Sequence, residues 1–471
     1  MNLKLANHAW LPEPMLAFSA EGTSRQARHP LRGLCDNGPY SAGLVPDPIR
    51  IATISPASES ETLYEFMRRL RRRWEPSERP DYLPDWPGFR EVFGLDMQAA
   101  RSSCRIQLED RVDADVQMSD TPHVALAEHL VRALQTLSAH RTEFDLVFIY
   151  VPERWQPGFA GGAGDDFDLH DHIKAFTAGA GIPVQLVREG RAISYDCQAS
   201  VMWRIGLAIY AKAGGVPWKL AEADPETAYI GISYSVRGAE SDLPRFVTCC
   251  SQVFDSDGAG LEFVAYDARE VDVQQDNPFL SQNEMFRVMT RSMDLYRRRH
   301  AGRSPTRVMV HKSTEFKRGE RDGCLEALRV CEAVDLVQVV EHVDWRGVRI
   351  DGEGRGKGTP ARFPVPRGTV LPVGDREALL WNHGDAMGVT ARSYFQGSRS
   401  TPRPLRLVRH AGHGSWDDTA QAILGLSKMN WNNDALYDQL PVTMSYAKVL
   451  SRVVKRIPQL RRSPYQFRFF M

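Results

Sequence analysis

Four residues between positions 170 and 212 have the types and spacing to hold a terminal phosphate: His170, Lys174, Gln185 and Lys212. The stretch DLHDHIKAFTAGAG reads as a helix that Asp168 caps and glycines close. Within it His170 and Lys174 stand four apart and share one face. The apolar run IPVQLV, Ile182 to Val187, predicts a short strand that carries Gln185. A second amphipathic helix, roughly Gln198 to Lys212, brings Lys212 to its C-terminal end. Ammonium groups supply charge for a phosphate, the amide a directed donor, and the ring a surface on which the adjoining base stacks. Taken singly, each of the four reads as an ordinary surface group. Their convergence from three neighbouring elements is what gives the set meaning.

The elements around them must form a layer able to hold that set. Thr121 to His140 reads as a long amphipathic helix, and EFDLVFIYVP, Glu143 to Pro152, has the pattern of a buried strand. The segment GFAGGAGDD after it reads as a mobile glycine-rich loop just before the phosphate set. Strand, helix, strand, helix from about residue 140 to 220 predicts a Rossmann-like α/β layer. No G-x-G-x-x-G turn supports a dinucleotide. DGEGRGKGTP misses the phosphate-loop pattern, because Asp351 stands where the first glycine belongs and Gly358 follows the lysine.

From Ala228 the pattern changes to consecutive strands, AYIGISYSV, FVTCCSQVF and LEFVAYDA. A helix from about Ser281 to His300 follows, then strand RVMVHKS, a helix ending near Cys331 and strand VDLVQVVEHV. That order is the order of an RNase H-like domain. TVLPVG, EALLWN and RPLRLVRHAG add further strands, and two helices separated by NWNNDALYDQLP close the chain. Nucleases of this fold use clustered carboxylates to hold two divalent metals about 3.5–4 Å apart. Here Ser233 stands in the middle of the first strand, Lys312 and Ser313 follow the fourth, and Lys448 lies on the last helix. An ammonium group there would repel a metal rather than bind it. Asp267, Glu284, Asp294, Glu315 and Asp335 are the acids that a relocated metal site would have to use. His410 and His413, in RHAGHGSWDD, have the spacing of a metal pair, but SWDD before an apolar helix reads more simply as a helix start.

Composition narrows the class. At 471 residues the chain has room for two or three domains, and 42% hydrophobic with 25% charged residues describes an ordinary globular protein. Fifty-nine basic and 59 acidic residues cancel, so nucleic-acid binding would need a local groove rather than overall charge. Seven cysteines without regular spacing do not form a disulfide framework, and the adjacent Cys249 and Cys250 read as buried strand residues. The start MNLKLANHAWLPEP lacks the features of a signal peptide, and no apolar run is long enough to span a bilayer, so a cytoplasmic location is expected. The basic run Arg68 to Arg73 reads as a solvated helix face, with a phosphate backbone or an acidic partner as the functional alternative. Residues 1 to about 60 show no assignable role.

The spacing H-x3-K, x10, Q, x26, K resembles the phosphate motif of the MID domain in Argonaute proteins, with His170 in place of the commoner tyrosine. YIGISYS, VMVHKSTEF and KMNWNNDALYDQLPVTMSYAKVL resemble successive landmarks of a Piwi domain. The chain as a whole resembles a short prokaryotic Argonaute over about residues 140 to 471. The resemblance implies an α/β protein with a Rossmann-like MID domain followed by an RNase H-like Piwi domain. Residues 1–220 would hold an N-terminal extension and the MID domain, with its core at about 140–220, and 221–471 the Piwi domain. It implies that His170, Lys174, Gln185 and Lys212 anchor a guide's 5′-phosphate and first base. Ser233, Ser313 and Lys448 match the family's catalytic carboxylates, which removes nuclease activity from the expectation. Guide RNA and target single-stranded DNA would be the ligands. An APAZ-containing effector, sirtuin-like, TIR or nuclease, would be the partner that does the chemistry in defence against phage or plasmids, with higher oligomers after activation. Mg²⁺ is expected at the guide phosphate, held in part by the terminal carboxylate of Met471. A guide-dependent nuclease with relocated carboxylates is the alternative.

Overall fold

The computed structural model describes residues 7–18, 25–41, 45–237, 246–255, 257–259, 262–268, 270–274, 277–352, 358–390, 401–457, 459–461 and 463–471. Its first strand, β1 (Ala9–Trp10), pairs with a strand near residue 370, so this early strand lies on the second of the two large sheets. The first sheet is parallel and five-stranded: β2 (Ile49–Pro56), β3 (Met97–Ala99), β4 (Arg105–Leu108), β5 (Leu146–Val151) and β6 (Val184–Arg188). Its order is β3-β2-β5-β6, with β4 also on β2. β5, LVFIYV, is buried at every position, as a parallel strand covered on both faces must be.

Helices α1 (Pro122–Ser138) and α2 (Leu169–Ala180) cover one face of this sheet through Leu126, Leu130, Leu134, Leu169 and Ile173. Helix α3 (Gln198–Lys212) covers the other. α3 is apolar almost all round, which suits a helix enclosed between two layers. At Gly206 it lies so close to Trp86 that a Cβ would come within 2.4 Å of the indole.

The second sheet has ten strands. β7 (Thr227–Arg237), β8 (Phe246–Phe254) and β9 (Glu262–Ala268) run antiparallel to their neighbours, and β10 (Arg307–Lys312) and β11 (Ala333–Val340) continue parallel to β7. After a small hairpin of β12 (Ile350–Asp351) and β13 (Thr359–Pro360), β14 (Thr369–Gly374), β15 (Glu377–Trp381) and β16 (Leu405–Ala411) extend the sheet. The order is β1-β14-β15-β16-β11-β10-β7-β8-β9-β17, where β17 is Tyr465–Gln466. Helices α4 (Gln282–Arg299) and α5 (Arg318–Ala327) cover one face. On the other lie α6 (Trp416–Leu426), which starts at an N-cap from Ser415 as SWDD predicts, and α7 (Val442–Val454). Gly231 on β7 admits the backbone of α7, since a Cβ there would come within 2.2 Å of the Thr443 carbonyl. The side chains of Cys249 and Cys250 lie outside the described residues.

One apolar cluster runs through both units, joining Ile51 and Phe148 of the first sheet to Phe254, Tyr446 and Phe470 of the second unit. The N-terminal segment also ties in. Glu13 is buried against Arg367 at 2.9 Å and Lys428 at 3.0 Å. Burial alone would raise the Glu13 carboxyl, but these two cations outweigh it and hold the pKa below the usual value.

The basic run is only partly helical, because its helix, Ser60–Arg69, ends inside it. Arg68 and Arg72 pair with Glu65, Arg73 pairs with Asp85, and Arg69 donates to the Ile193 carbonyl. The run is therefore a set of local ties. The glycine-rich segment is held as well, by a bridge between Ala160 and Asp168.

Candidate phosphate-binding site

The side chain of Asp168 accepts from the Asp171 amide at 2.9 Å and starts α2, and Gly181, at φ 69°, ends it. This fixes His170 and Lys174 one turn apart on the same side of α2. β6 brings Gln185 alongside, and the end of α3 brings Lys212. Lys212 Nζ donates to Gln185 Oε1 at 2.5 Å and to the Val184 carbonyl at 2.9 Å. Lys174 Nζ donates to the Phe470 carbonyl at 2.9 Å, so the chain's last residues pack against this site. The structure thus gathers all four residues into one place.

They do not play equal parts. Lys174 and Lys212 are only 3% and 2% exposed and do not line the opening themselves, so they make a floor that lies beneath its lining residues. Burial lowers the Lys174 ammonium to about 7, against a small opposing pull from Asp171. Burial, with Lys174 close by, pushes Lys212 well below the usual lysine range. His170 and Gln185 line the opening. The imidazole is sheltered by the walls of the cleft while 41% of its side chain meets solvent. That desolvation, with the ammonium of Lys174, holds the ring in its neutral form.

Above this floor lies a cleft of about 620 Å³ between the two sheets. Arg188, Arg191 and Arg204 enter from the first unit, and Arg452, Lys455 and Arg456 from the end of α7. Two acids answer them. Asp171 pairs with Arg452 at 3.3 Å, and Asp166 pairs with Lys455 and, at 3.6 Å, with Arg456. The cleft cations are the residues that motif spacing missed. Their one local signal is SRVVKR, which sets Arg452, Lys455 and Arg456 three to four apart at a helix end.

Asp168, His170 and Asp171 also hold their ligand atoms within 4.8 Å of one another. Carboxylates and a neutral imidazole suit a cation, but Asp171 is already paired with Arg452. Met471 is 5% exposed and follows the carbonyl that Lys174 grips, which puts the terminal carboxylate in this neighbourhood.

The second candidate site lies at the C-terminal end of β7, β10 and β11. Gly231 pairs with His311, so Ser233 and Ser313 stand level with each other and share a face. Ser233 Oγ is buried without a hydrogen-bond partner, and Ser313 is exposed. Lys448 reaches this edge from α7 and is ion-paired with Glu341, an acid that spacing did not single out. A two-metal site needs several convergent carboxylates. Among the described residues the Asp168, His170, Asp171 set is the one group of three or more such ligands. Of the other acids, Glu284 is bound to Arg287, Asp294 to Arg297, Glu315 to Lys317 and Asp335 to Arg307. His410 contacts Gln338 at 3.2 Å, and His413 is exposed on the loop before α6. Among the described residues no helix is long and apolar enough to cross a membrane.

No family model matches the chain. The protein argonaute of Thermus thermophilus is 25% identical over 296 residues, which is 62% of this chain and 37% of that protein. Among solved structures, Clostridium butyricum Argonaute bound to a guide DNA and a 19-mer target DNA superposes with a TM-score of 0.65 at 15% identity. That match covers all of this chain and 55% of the other. Aquifex aeolicus Argonaute gives 0.62 at 15% identity over 99% of this chain and 57% of its own length. Drosophila Piwi gives 0.62 at 14%, over 98% and 56%. The chain thus spans just over half the length of these structures and a smaller share of the Thermus protein. With its Rossmann-like unit and its RNase H-like unit the chain has the fold of these Argonaute structures over the part they share, and its sequence is similar to that of the Thermus protein argonaute.

Proposed function

We propose that this protein binds a guide strand by its 5′-phosphate and uses it to recognise complementary single-stranded DNA without cutting it. The observation that carries the reading is the floor of Lys174, Gln185 and Lys212 beneath a cationic cleft. Two buried amines that hold only neutral acceptors are poised for an anion, because a phosphate would return the charge that burial suppresses. His170 at the opening is placed to stack on the first base. A divalent cation such as Mg²⁺, held in part by the Met471 carboxylate, would offset the charge of phosphate beside Asp168 and Asp171.

The guide is RNA in this reading, and the target is read through backbone contacts and base pairing along the cleft. Ser233, Ser313 and Lys448 carry no carboxylate at the positions that match the family's catalytic acids, and this supports a chain that does not cleave. An APAZ-containing effector, sirtuin-like, TIR or nuclease, would then supply the chemistry and respond to target in defence against phage or plasmids. A guide-dependent nuclease is the weaker reading, since four of the five acids it would need, Glu284, Asp294, Glu315 and Asp335, are individually paired with basic residues.

The test is Lys174→Ala with Lys212→Ala. Each charge-assisted hydrogen bond contributes about 1.5–3 kcal/mol, so affinity for 5′-phosphorylated guides should fall about 100-fold or more. Affinity for 5′-hydroxyl guides should hardly change. Equal losses for both guide types would remove the assignment.

A further inference from the structure

The ends of β10, β11 and β16 that point away from Ser233 and Ser313 carry a buried charge that the chain itself does not balance. Arg307 opens β10, and Asp335 lies on the adjacent β11. The arginine donates from Nε and Nη2 to Asp335 Oδ2 at 3.0 and 2.7 Å, and Asp335 is 2% exposed. A second guanidinium, that of Arg409 on β16, is pressed beside this pair at 7% exposure. Its Nε is 3.9 Å from Asp335 Oδ1, too far for a hydrogen bond, and has no hydrogen-bond partner among the described residues. Nη2 donates to Thr419 Oγ1 at 3.0 Å and toward the Ser415 carbonyl at 3.4 Å, and the group lies 4.2 Å over the ring of Trp416. Two cations thus share one carboxylate. Burial depresses the Arg409 pKa, an effect that Asp335 opposes and Arg307 reinforces. A buried cation without its own counter-ion is costly, so the site lacks one negative charge.

That charge has room to enter. Arg307, Asp335 and Arg409 line a cavity of about 1360 Å³ that shares no lining residue with the phosphate cleft. Five arginines line it against three acids, one of which is the Asp335 that Arg307 already holds. Arg329 and Arg376 are exposed on this lining and form no ion pair among the described residues. The loop from Gly412 to Ser415 covers one side with bare backbone. A Cβ at Gly414 would come within 2.6 Å of Arg307 Nη2, and one at Gly412, where φ is 101°, would run into the Asp335 carboxylate. A cation would be repelled by this lining, and a neutral ligand would leave Arg409 uncompensated. A phosphate group suits it, because its several charged oxygens accept from more than one guanidinium at once, where a carboxylate serves one. The run from Arg307 to Ser313 along β10 is about 20 Å, so such a ligand would bind far from the Ser233 and Ser313 end.

We propose that Arg307 and Arg409, with Arg329 and Arg376 at the rim, form a second phosphate-binding site, independent of the guide-binding reading. The phosphate can arrive on a free nucleotide or in the backbone of a strand, and the test separates the two. It uses the full chain carrying Lys174→Ala and Lys212→Ala, so that the first cleft is weakened. Calorimetric titrations with inorganic phosphate, AMP and 5′-hydroxyl dT20 are run at fixed ionic strength, with acetate for comparison. Arg409→Met leaves Arg307 and Asp335 paired and should weaken phosphate binding about tenfold or more. Arg329→Ala with Arg376→Ala, both on the surface, should do the same and reads the site even where Arg409→Met disturbs folding. Losses with phosphate and AMP in either variant assign the site to small phosphates. A loss with dT20 alone, in Arg409→Met as well as in the rim variant, assigns it to a strand's backbone. Any other pattern, or acetate binding as tightly as phosphate, overturns the proposal.

Discussion

The phosphate site should titrate, and the direction can be worked out from the burial of its lysines. In the free protein Lys174 has a pKa of about 7. A phosphate dianion in contact with it would favour the ammonium form and move the pKa back toward the ordinary lysine value near 10.4. Binding therefore takes up a proton wherever free Lys174 is neutral, which is above pH 7. Linkage then lowers affinity for a 5′-phosphorylated guide by up to about tenfold per pH unit, or about 100-fold from pH 7 to 9. Lys212, suppressed further, can only steepen the slope. Below about pH 6 the phosphate itself gains a proton, so discrimination between phosphate and hydroxyl ends should peak between about pH 6 and 7. The assay is fluorescence anisotropy of labelled guides at fixed ionic strength, with the affinity ratio of the two ends followed from pH 6 to 9. A ratio that stays flat across that range would refute the argument, because it would mean that the lysines are charged before the guide arrives. Lys174→Met provides the control, with a loss of about 10- to 100-fold at pH 6.5 and a shallower slope. The unliganded fold has a related signature. Lys174 is protonated in the unfolded chain and neutral in the folded one between pH 7 and about 10.4, so its contribution to stability rises with pH across that window.

Four further outcomes follow from the geometry. Glu13→Ala should lower stability by about 3–5 kcal/mol, seen in thermal or urea unfolding, because Arg367 and Lys428 would remain buried and uncompensated. Asp166→Ala should tighten binding of phosphorylated guides and steepen its salt dependence, since it frees Lys455 and Arg456; isothermal titration at two salt concentrations would show this. Ser233→Asp should not yield cleavage of a labelled complementary strand in Mg²⁺ or Mn²⁺, because a single carboxylate cannot hold two metals. EDTA, or removal of the last few residues, should weaken guides with a 5′-phosphate more than those without. Unchanged anisotropy in both cases would exclude a cation held by the Met471 carboxylate.

Much of this architecture is legible in the sequence because its signals are local. The cap at Asp168, the strand of Gln185, the uninterrupted apolar run of β5 and the Ser415 cap of α6 each lie within a few residues. The resemblance of their spacing to the MID phosphate motif also singles out His170, Lys174, Gln185 and Lys212 as candidates. It cannot say which of them face solvent, because burial of Lys174 comes from a tail almost three hundred residues away. The pairing of Lys448 with Glu341 is of the same kind, an encounter between a helix and a strand end that share no local pattern. The start of the chain is illegible for another reason. Strands of two residues, such as β1, carry no periodicity, and a single carboxylate at position 13 gives no sign that two cations enclose it.

The apolar cluster that crosses from one sheet to the other has a mechanical consequence. Domains joined by a thin polar contact swing about a hinge, whereas large side chains interlocked across a boundary resist bending much as a domain interior does. Here Phe148, Trp203, Phe254, Tyr446 and Phe470 belong to one such body. A strand settling into the cleft thus meets a stiff cradle, and little of its binding energy can go into rotating one domain against the other. What remains free to yield lies at the rim, in ion pairs such as Asp166 with Lys455 and in loops around the opening. Any message passed to another protein would then leave as a local change of charge and contour on an otherwise unmoving block.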